Sequence, residues 1–210
     1  MSAATRWHLL RHAPAAVDKG TVYGRTDVSV LPQDAALFRR IAARLPADSL
    51  LVTTPLRRTT ETAEMLAAAG WVPKDRIVEP AFAEQDFGTW EGATHDALGR
   101  ERSAEYRAFW DNPARSCPPG GESFAVLMQR AATALETLTA AYRGRDIVLI
   151  GHGGSIRAII AALLGLTPEA ALALEIAPLS LSLADHIGAG EPSGALSPWR
   201  LRGLNIGDGV

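Results

Sequence analysis

The stretch that decides the fold is Asp146-Ile147-Val148-Leu149-Ile150-Gly151-His152-Gly153-Gly154-Ser155. Its first half is an unbroken apolar run from Ile147 to Ile150. Such a run, without polar alternation, predicts a strand buried on both faces and therefore central in its sheet. Glycines on both sides of His152 then predict a tight loop over Gly151–Gly154, leading into a helix from Ser155 to about Leu164.

Working outward, apolar strands alternate with helical segments. Trp7–Leu10 and Ser49–Val52 read as strands, and Arg76–Val78 as a short one. Between the first two, Ala36, Phe38, Ile41, Ala42 and Leu45 recur at helical spacing within Pro32–Leu45. Thr54-Pro55 reads as an N-cap and a proline at the first helical position, with the helix running to about Ala69 and stopping at Gly70. Glu122–Tyr142 is a long helix, and Thr167-Pro168 opens a short one. Leu179–Asp185 and Trp199–Leu204 close the chain as strands joined by a Gly/Pro/Ser-rich turn. The charged, aromatic, proline-containing region at about 94–121 breaks the alternation and reads as an inserted lid.

This order predicts an α/β fold: a single domain over residues 1–210, built as a three-layer α/β/α sandwich around a mostly parallel sheet. Right-handed crossovers bring the C-terminal ends of parallel strands to one edge, where such sheets bind ligands. His12, Thr54-Pro55 and His152 each follow a strand, so they are expected at one crevice beneath the 94–121 insertion.

The composition narrows the chemistry. The chain has 210 residues, 47% hydrophobic and 21% charged, and a formal net charge of -2. No basic field favours nucleic acid or an anionic membrane. Cys117 is the sole cysteine, which excludes an internal disulfide and a cysteine-based metal cluster. The N-terminal dozen residues lack a signal-peptide core, and the longest apolar stretch, near Ile156–Leu166, is too short to span a bilayer. A cytoplasmic protein is expected. A nucleotide-binding P-loop is absent.

Two histidines, several arginines and a carboxylate then converge on the expected crevice. Arg11-His12 ends the first strand, Arg57-Arg58 opens the helix after the second, and His152 follows the buried strand. Glu84 lies in Ala83-Glu84-Gln85-Asp86-Phe87-Gly88-Thr89-Trp90-Glu91-Gly92. Arginine forks match phosphate oxygens bidentately, and helix N-termini add backbone donors.

These segments resemble the histidine phosphatase superfamily, which includes phosphoglycerate mutases and alpha-ribazole phosphatases. Leu9-Leu10-Arg11-His12 looks like its Arg-His-Gly signature. Thr54-Pro55-Leu56-Arg57-Arg58, continuing to Thr62-Ala63, is similar to its Ser-Pro-Leu-x-Arg element. Glu84–Gly92 resembles its acidic loop, and Gly151–Gly154 its second-histidine loop. Ala13 stands where glycine is usual, Thr54 replaces serine, and Pro14-Ala15-Ala16 replaces polar residues that often follow the signature. Tyr23–Asp27 resembles the corresponding stretch of alpha-ribazole phosphatases; Gly24 would let the backbone pass close to the ligand and Arg25 is a candidate substrate contact.

The resemblance implies a phosphoglycerate mutase-like fold and a metal-independent phosphomonoesterase without cofactor. His12 would be the nucleophile. Arg11, Arg58 and His152 would hold the phosphoryl oxygens, with Gly153 beside them, and Glu84 would be the acid and base. Family spacing prefers Arg58 to Arg57, and Glu84 to Asp86 or Glu91. His8 reads as a packed or edge histidine of the first strand, and His95 and His186 have no partner pattern; Trp90, Phe109 and Trp110 read as local core sooner than substrate mouth. Ser123 or Glu122 reads as a helix cap sooner than a pocket residue. The expected partner is a small phosphorylated metabolite, with alpha-ribazole 5'-phosphate the one named substrate. A homodimer is compatible with this reading. Phosphoglycerate mutase-type transfer and a non-catalytic phosphate-ester-binding protein are the alternatives.

Overall fold

The computed structural model describes residues 4–187 and 198–207. Among them, strands β1 (Thr5–Arg11), β2 (Ser49–Thr53), β3 (Asp75–Val78), β4 (Asp146–Gly151), β5 (Leu181–His186) and β6 (Trp199–Ile206) form one sheet in the order β3-β2-β4-β1-β5-β6. The pairs β3–β2, β2–β4 and β4–β1 are parallel, whereas β1–β5 and β5–β6 are antiparallel. The sheet is thus mostly parallel, and the unbroken apolar run lies in a central strand. The Gly/Pro/Ser-rich turn between β5 and β6 falls at 188–197, outside the described residues.

Successive side chains of a strand point to opposite faces, so an apolar run feeds two cores. Leu9, Val52, Ile147 and Leu149 pack beneath α5 (Phe124–Ala141) and α6 (Gly153–Leu164). Leu10, Leu51, Val148 and Ile150 pack beneath α1 (Ala35–Ala42) and α2 (Arg57–Ala68). This is the three-layer α/β/α arrangement. The region at 94–121 contains α3 (His95–Glu101) and α4 (Ser103–Asp111), and a short α7 (Pro168–Ala171) follows α6. Trp90, Leu98 and Phe109 gather with Val22 in a small core of their own. No helix among the described residues is long and apolar enough to cross a membrane.

Two local expectations are corrected. Thr54 does not cap α2: the helix starts at Arg57, its N-cap is Leu56, and the Arg57 N–H donates to the carboxylate of the distant Asp27. The Thr54 hydroxyl is instead drawn into the crevice, as described below. Gly151–Gly154 is not a separate tight loop either. Gly151 ends β4, His152 is the N-cap, and α6 begins at Gly153, so strand passes to helix through one residue.

Leu149 is wholly buried in the central strand. Leu149→Ala should therefore cost about 2–5 kcal/mol of stability. The midpoint of urea unfolding measures this, and a loss under about 1 kcal/mol would contradict the central placement.

Candidate active site

Parallel pairing of β1 with β4 aligns Arg11 with Gly151 in register. The residues that follow, His12 and His152, are therefore neighbours, with ring centroids 5.2 Å apart and planes at 61°. Both rings are almost completely buried, at 1% and 0% exposure. The end of β1 is fastened on its other side, where the Arg11 N–H donates to Ser180 O and the Leu179 N–H to Arg11 O. The Ala13 N–H donates to Thr62 Oγ1, which in turn donates to Arg58 O. The Thr62 expected from the sequence element thus ties the turn after His12 to α2.

Hydrogen-bond partners fix the proton on each imidazole. His12 Nδ1 lies 2.6 Å from the carbonyl oxygen of Ala13, which can only accept. The neutral ring then carries its proton on Nδ1 and leaves the Nε2 lone pair open. Burial, with help from the Arg58 and Arg11 charges, lowers the His12 pKa to about 3 against the bond to Ala13. His152 is different. Its Nδ1 accepts from Arg58 Nε at 3.1 Å, so the neutral ring carries its proton on Nε2, 2.9 Å from Thr54 Oγ1. Burial first, then the charges of Arg58, His12 and Arg11, hold His152 well below its ordinary range.

The structure brings Arg58, Arg11 and Glu84 to the same place. Arg58 is 0% exposed and sits in the first turn of α2. Besides the bond to His152 it donates to Thr26 O at 2.9 Å and Gly24 O at 2.5 Å. That leaves one further N–H on each terminal nitrogen. Arg11 donates through Nη1 to Ile176 O, but its Nε is buried without a partner. An orphaned buried donor on a cation is what an absent anion would satisfy. Glu84 accepts the Gly154 N–H through Oε2 and the Gln85 N–H through Oε1.

Two glycines make this approach feasible. A side chain at Gly154 would run into Glu84 Oε1, and one at Gly153 would reach within 3.4 Å of the Arg11 guanidinium carbon. Gly24, expected to pass close to a ligand, lines the cleft described below, and a side chain there would run into Gln85 O and the Glu91 carboxylate, at a φ of +28°. Its carbonyl serves Arg58.

The competing residues separate clearly. Arg57 is exposed and bonds Glu61. Glu91 accepts from the Arg25 and Phe87 N–H groups and the Thr26 hydroxyl, so it staples two loops together. Asp86 closes a turn by accepting from the Gly88 N–H. Arg25 turns toward Glu84 O and Glu122. His8 bonds Asp146, and Trp90 and Phe109 are core residues. Ser123 caps α5 through the Val126 N–H, whereas Glu122 is engaged with Arg130 and the Glu84 loop.

A cleft of about 310 Å³ opens beside these residues, and Arg11 and Glu84 form part of its wall. Tyr23, Phe87, His95 and Arg157 line it as well. Tyr23 opens the Tyr23–Asp27 stretch singled out in the sequence, and His95 showed no partner pattern there, while sequence reasoning missed Phe87 and Arg157. A signal existed for Arg157, which follows Gly154 by one helical turn and so shares its face of α6. Arg157 donates through Nε to Leu174 O, and burial lowers its pKa against the attraction of Glu84. His95 faces Tyr106 Oη at 2.8 Å.

The two buried rings make stability depend on pH. In the unfolded chain both titrate near 6.5. Below that pH the unfolded chain takes up protons the folded chain refuses, so stability falls as pH drops from about 6.5 toward 3. Each ring adds a slope of about 1.4 kcal/mol per pH unit within that window. Urea midpoints in phosphate- and sulfate-free buffer should drop more steeply from pH 7 to 5 for the wild type than for His12→Gln. Equal slopes would contradict the neutral buried ring.

Comparison with known proteins shows the family and the fold. The profile of the histidine phosphatase superfamily (branch 1) matches residues 7–193. A bifunctional protein of Mycobacterium tuberculosis is 30% identical over 151 residues, covering 72% of this chain. The chain spans only 41% of that relative's length. Glucosyl-3-phosphoglycerate phosphatase of Mycolicibacterium vanbaalenii is 32% identical over 170 residues, covering 75% of this chain and 73% of the relative. Alpha-ribazole phosphatase from Shigella flexneri shares the fold with a TM-score of 0.81 at 23% identity, over 97% of this chain and 98% of that one. With its profile matched from the first strand onward, and paired histidines at the ends of adjacent parallel strands, this chain belongs to the histidine phosphatase superfamily.

Proposed function

We propose that the chain is a metal-independent phosphatase that hydrolyses a small phosphate monoester through a phosphohistidine on His12. One observation carries the reading. His12 is held neutral, with its proton committed to the Ala13 carbonyl and its Nε2 lone pair open, beside an Arg11 Nε that lacks an acceptor. A neutral nucleophile next to unspent positive charge suits attack on a phosphate ester.

In the first half-reaction His12 Nε2 attacks phosphorus. The P–N bond forms as the ester P–O bond breaks, and Glu84 gives its proton to the departing oxygen. Arg11, Arg58 and the polar edge of His152 offset the charge spread over the phosphoryl oxygens. In the second, the Glu84 carboxylate takes a proton from water as its oxygen attacks phosphorus. The P–N bond breaks, inorganic phosphate leaves, and neutral His12 returns. The positive charge comes from side chains. No group of three or more His, Cys, Asp or Glu residues placed to hold a metal ion occurs among the described residues.

The leaving group would occupy the 310 Å³ cleft. Its rings, Tyr23, Phe87 and His95, favour a leaving group with a flat or sugar-like face, which keeps alpha-ribazole 5'-phosphate in view. Arg157 favours one carrying an acidic group. The relative named glucosyl-3-phosphoglycerate phosphatase makes that ester the second substrate to try. The proposed compartment is the cytoplasm.

Wild type and His12→Ala should be assayed in EDTA on alpha-ribazole 5'-phosphate, glucosyl-3-phosphoglycerate, 3-phosphoglycerate and p-nitrophenyl phosphate. Phosphate release by wild type alone is expected. Equal release by both proteins would remove His12 from its role, and isomerisation of 3-phosphoglycerate without phosphate release would replace hydrolysis by mutase chemistry. Gly154→Ala gives an independent check, because its methyl would displace the Glu84 carboxylate, the end of a flexible side chain. Turnover of alkyl phosphates should fall about 10–100-fold, while stability shifts by no more than about 1 kcal/mol. Unchanged turnover would contradict the role of Glu84.

A further inference from the structure

We infer that Arg130 and Glu122 form a clamp that positions Glu84 for proton transfer, a role that rests on the acid–base function proposed for Glu84. Glu84 lies on an irregular segment between the short turns Pro80–Phe82 and Gly88–Trp90. No helix or strand holds its backbone. A general acid on such a segment needs another source of precision, because proton transfer demands placement within hydrogen-bond reach of the departing oxygen.

Arg130 supplies it from α5. Its guanidinium has five N–H donors, and all five are used. Nη1 donates to Ala81 O at 2.6 Å and Ala83 O at 2.9 Å. Nη2 donates to Glu84 O at 3.0 Å and Glu122 Oε1 at 2.5 Å, and Nε donates to Glu122 Oε2 at 3.0 Å. One side chain thus grips the carbonyls leading up to Glu84 and that of Glu84 itself.

Glu122 secures the other side. It holds the guanidinium in a bidentate fork, and its Oε1 also accepts the Asp86 N–H at 3.1 Å. Its backbone carbonyl accepts Gln85 Nε2, and its N–H donates to Asp86 O. The segment is tied before, at and after the acid. Both partners are largely buried, with side chains 19% and 13% exposed. A buried ion pair is often no more stabilising than an apolar pair of the same size. Its geometric content is what an apolar pair would lack. Neither residue lines the cleft, so both act through Glu84 and not on substrate.

The test reads dependence on the leaving group. Nitrophenolate departs readily without a proton, whereas the alkoxide of β-glycerophosphate needs one. Values of kcat/KM report the phosphorylation step even when breakdown of the phosphoenzyme limits kcat. Glu84→Gln is the reference and should lower kcat/KM on β-glycerophosphate about 100-fold more than on p-nitrophenyl phosphate. Arg130→Met and Glu122→Gln should show the same selectivity in weaker form, about 10-fold, and Arg130→Lys should fall between Arg130→Met and wild type. If both substrates fall equally in these variants, or neither falls, while Glu84→Gln is selective, the clamp is overturned. If Glu84→Gln is itself unselective, the assignment of the acid fails instead. Should Arg130→Met not fold, Glu122→Gln and Arg130→Lys are read by the same ratio, and an unchanged ratio in both overturns the proposal.

Discussion

The register of β1 against β4 is the constraint on which the site depends. Two parallel strands, adjacent in the sheet yet far apart in sequence, end level with each other, Arg11 opposite Gly151. The next residue on each is a histidine. Slipping either strand by one residue would turn each side chain to the opposite face of the sheet, and the side chains packed under α5 and α6 would then have to fit the close-packed core under α1 and α2, and the reverse. The packing of Leu9 and Leu149 in one core and of Leu10 and Ile150 in the other thereby fixes the relation between the two imidazoles.

Burial then sets the chemistry. Taking His12 and His152 out of water disfavours their charged forms, and the neighbouring guanidinium groups push in the same direction. The arginines keep their charge while the histidines lose theirs. The result is a cationic pocket with a neutral ring as its nucleophile, which a water-exposed cluster of the same residues would not give. Polar partners complete the arrangement. Ala13 O accepts the His12 Nδ1–H, Arg58 directs the tautomer of His152, and Thr54 Oγ1 accepts from the opposite edge of that ring.

Much of this was legible in the sequence because it rests on local patterns. An unbroken apolar run marks a central strand whatever lies elsewhere, and the residues that follow strands collect at one edge by topology alone. What was not legible depended on distant partners. Thr54 beside Pro55 has the local chemistry of a helix cap, yet its hydroxyl bonds His152, 98 residues away. Gly24 and Arg25 looked like ligand contacts; Gly24 does lie on the cleft wall, while Arg25 reaches back to Glu84 O and Glu122. His95 reaches the cleft wall only because of how α3 sits, which no periodicity in a charged and aromatic stretch foretells. Glu122 read as a cap because its neighbour Ser123 is one, and its fork with Arg130 emerges only from the fold.

The central claim is that the phosphoryl group passes through His12. The most direct measurement is to mix enzyme with substrate, quench within the turnover time in alkaline denaturant, which preserves phosphohistidine, and map the phosphorylated peptide by mass spectrometry. The account predicts one phosphoryl group, on His12, that disappears as substrate is exhausted. A phosphoryl group on His152, Glu84 or Cys117, or turnover with no phosphoenzyme at all, would contradict it.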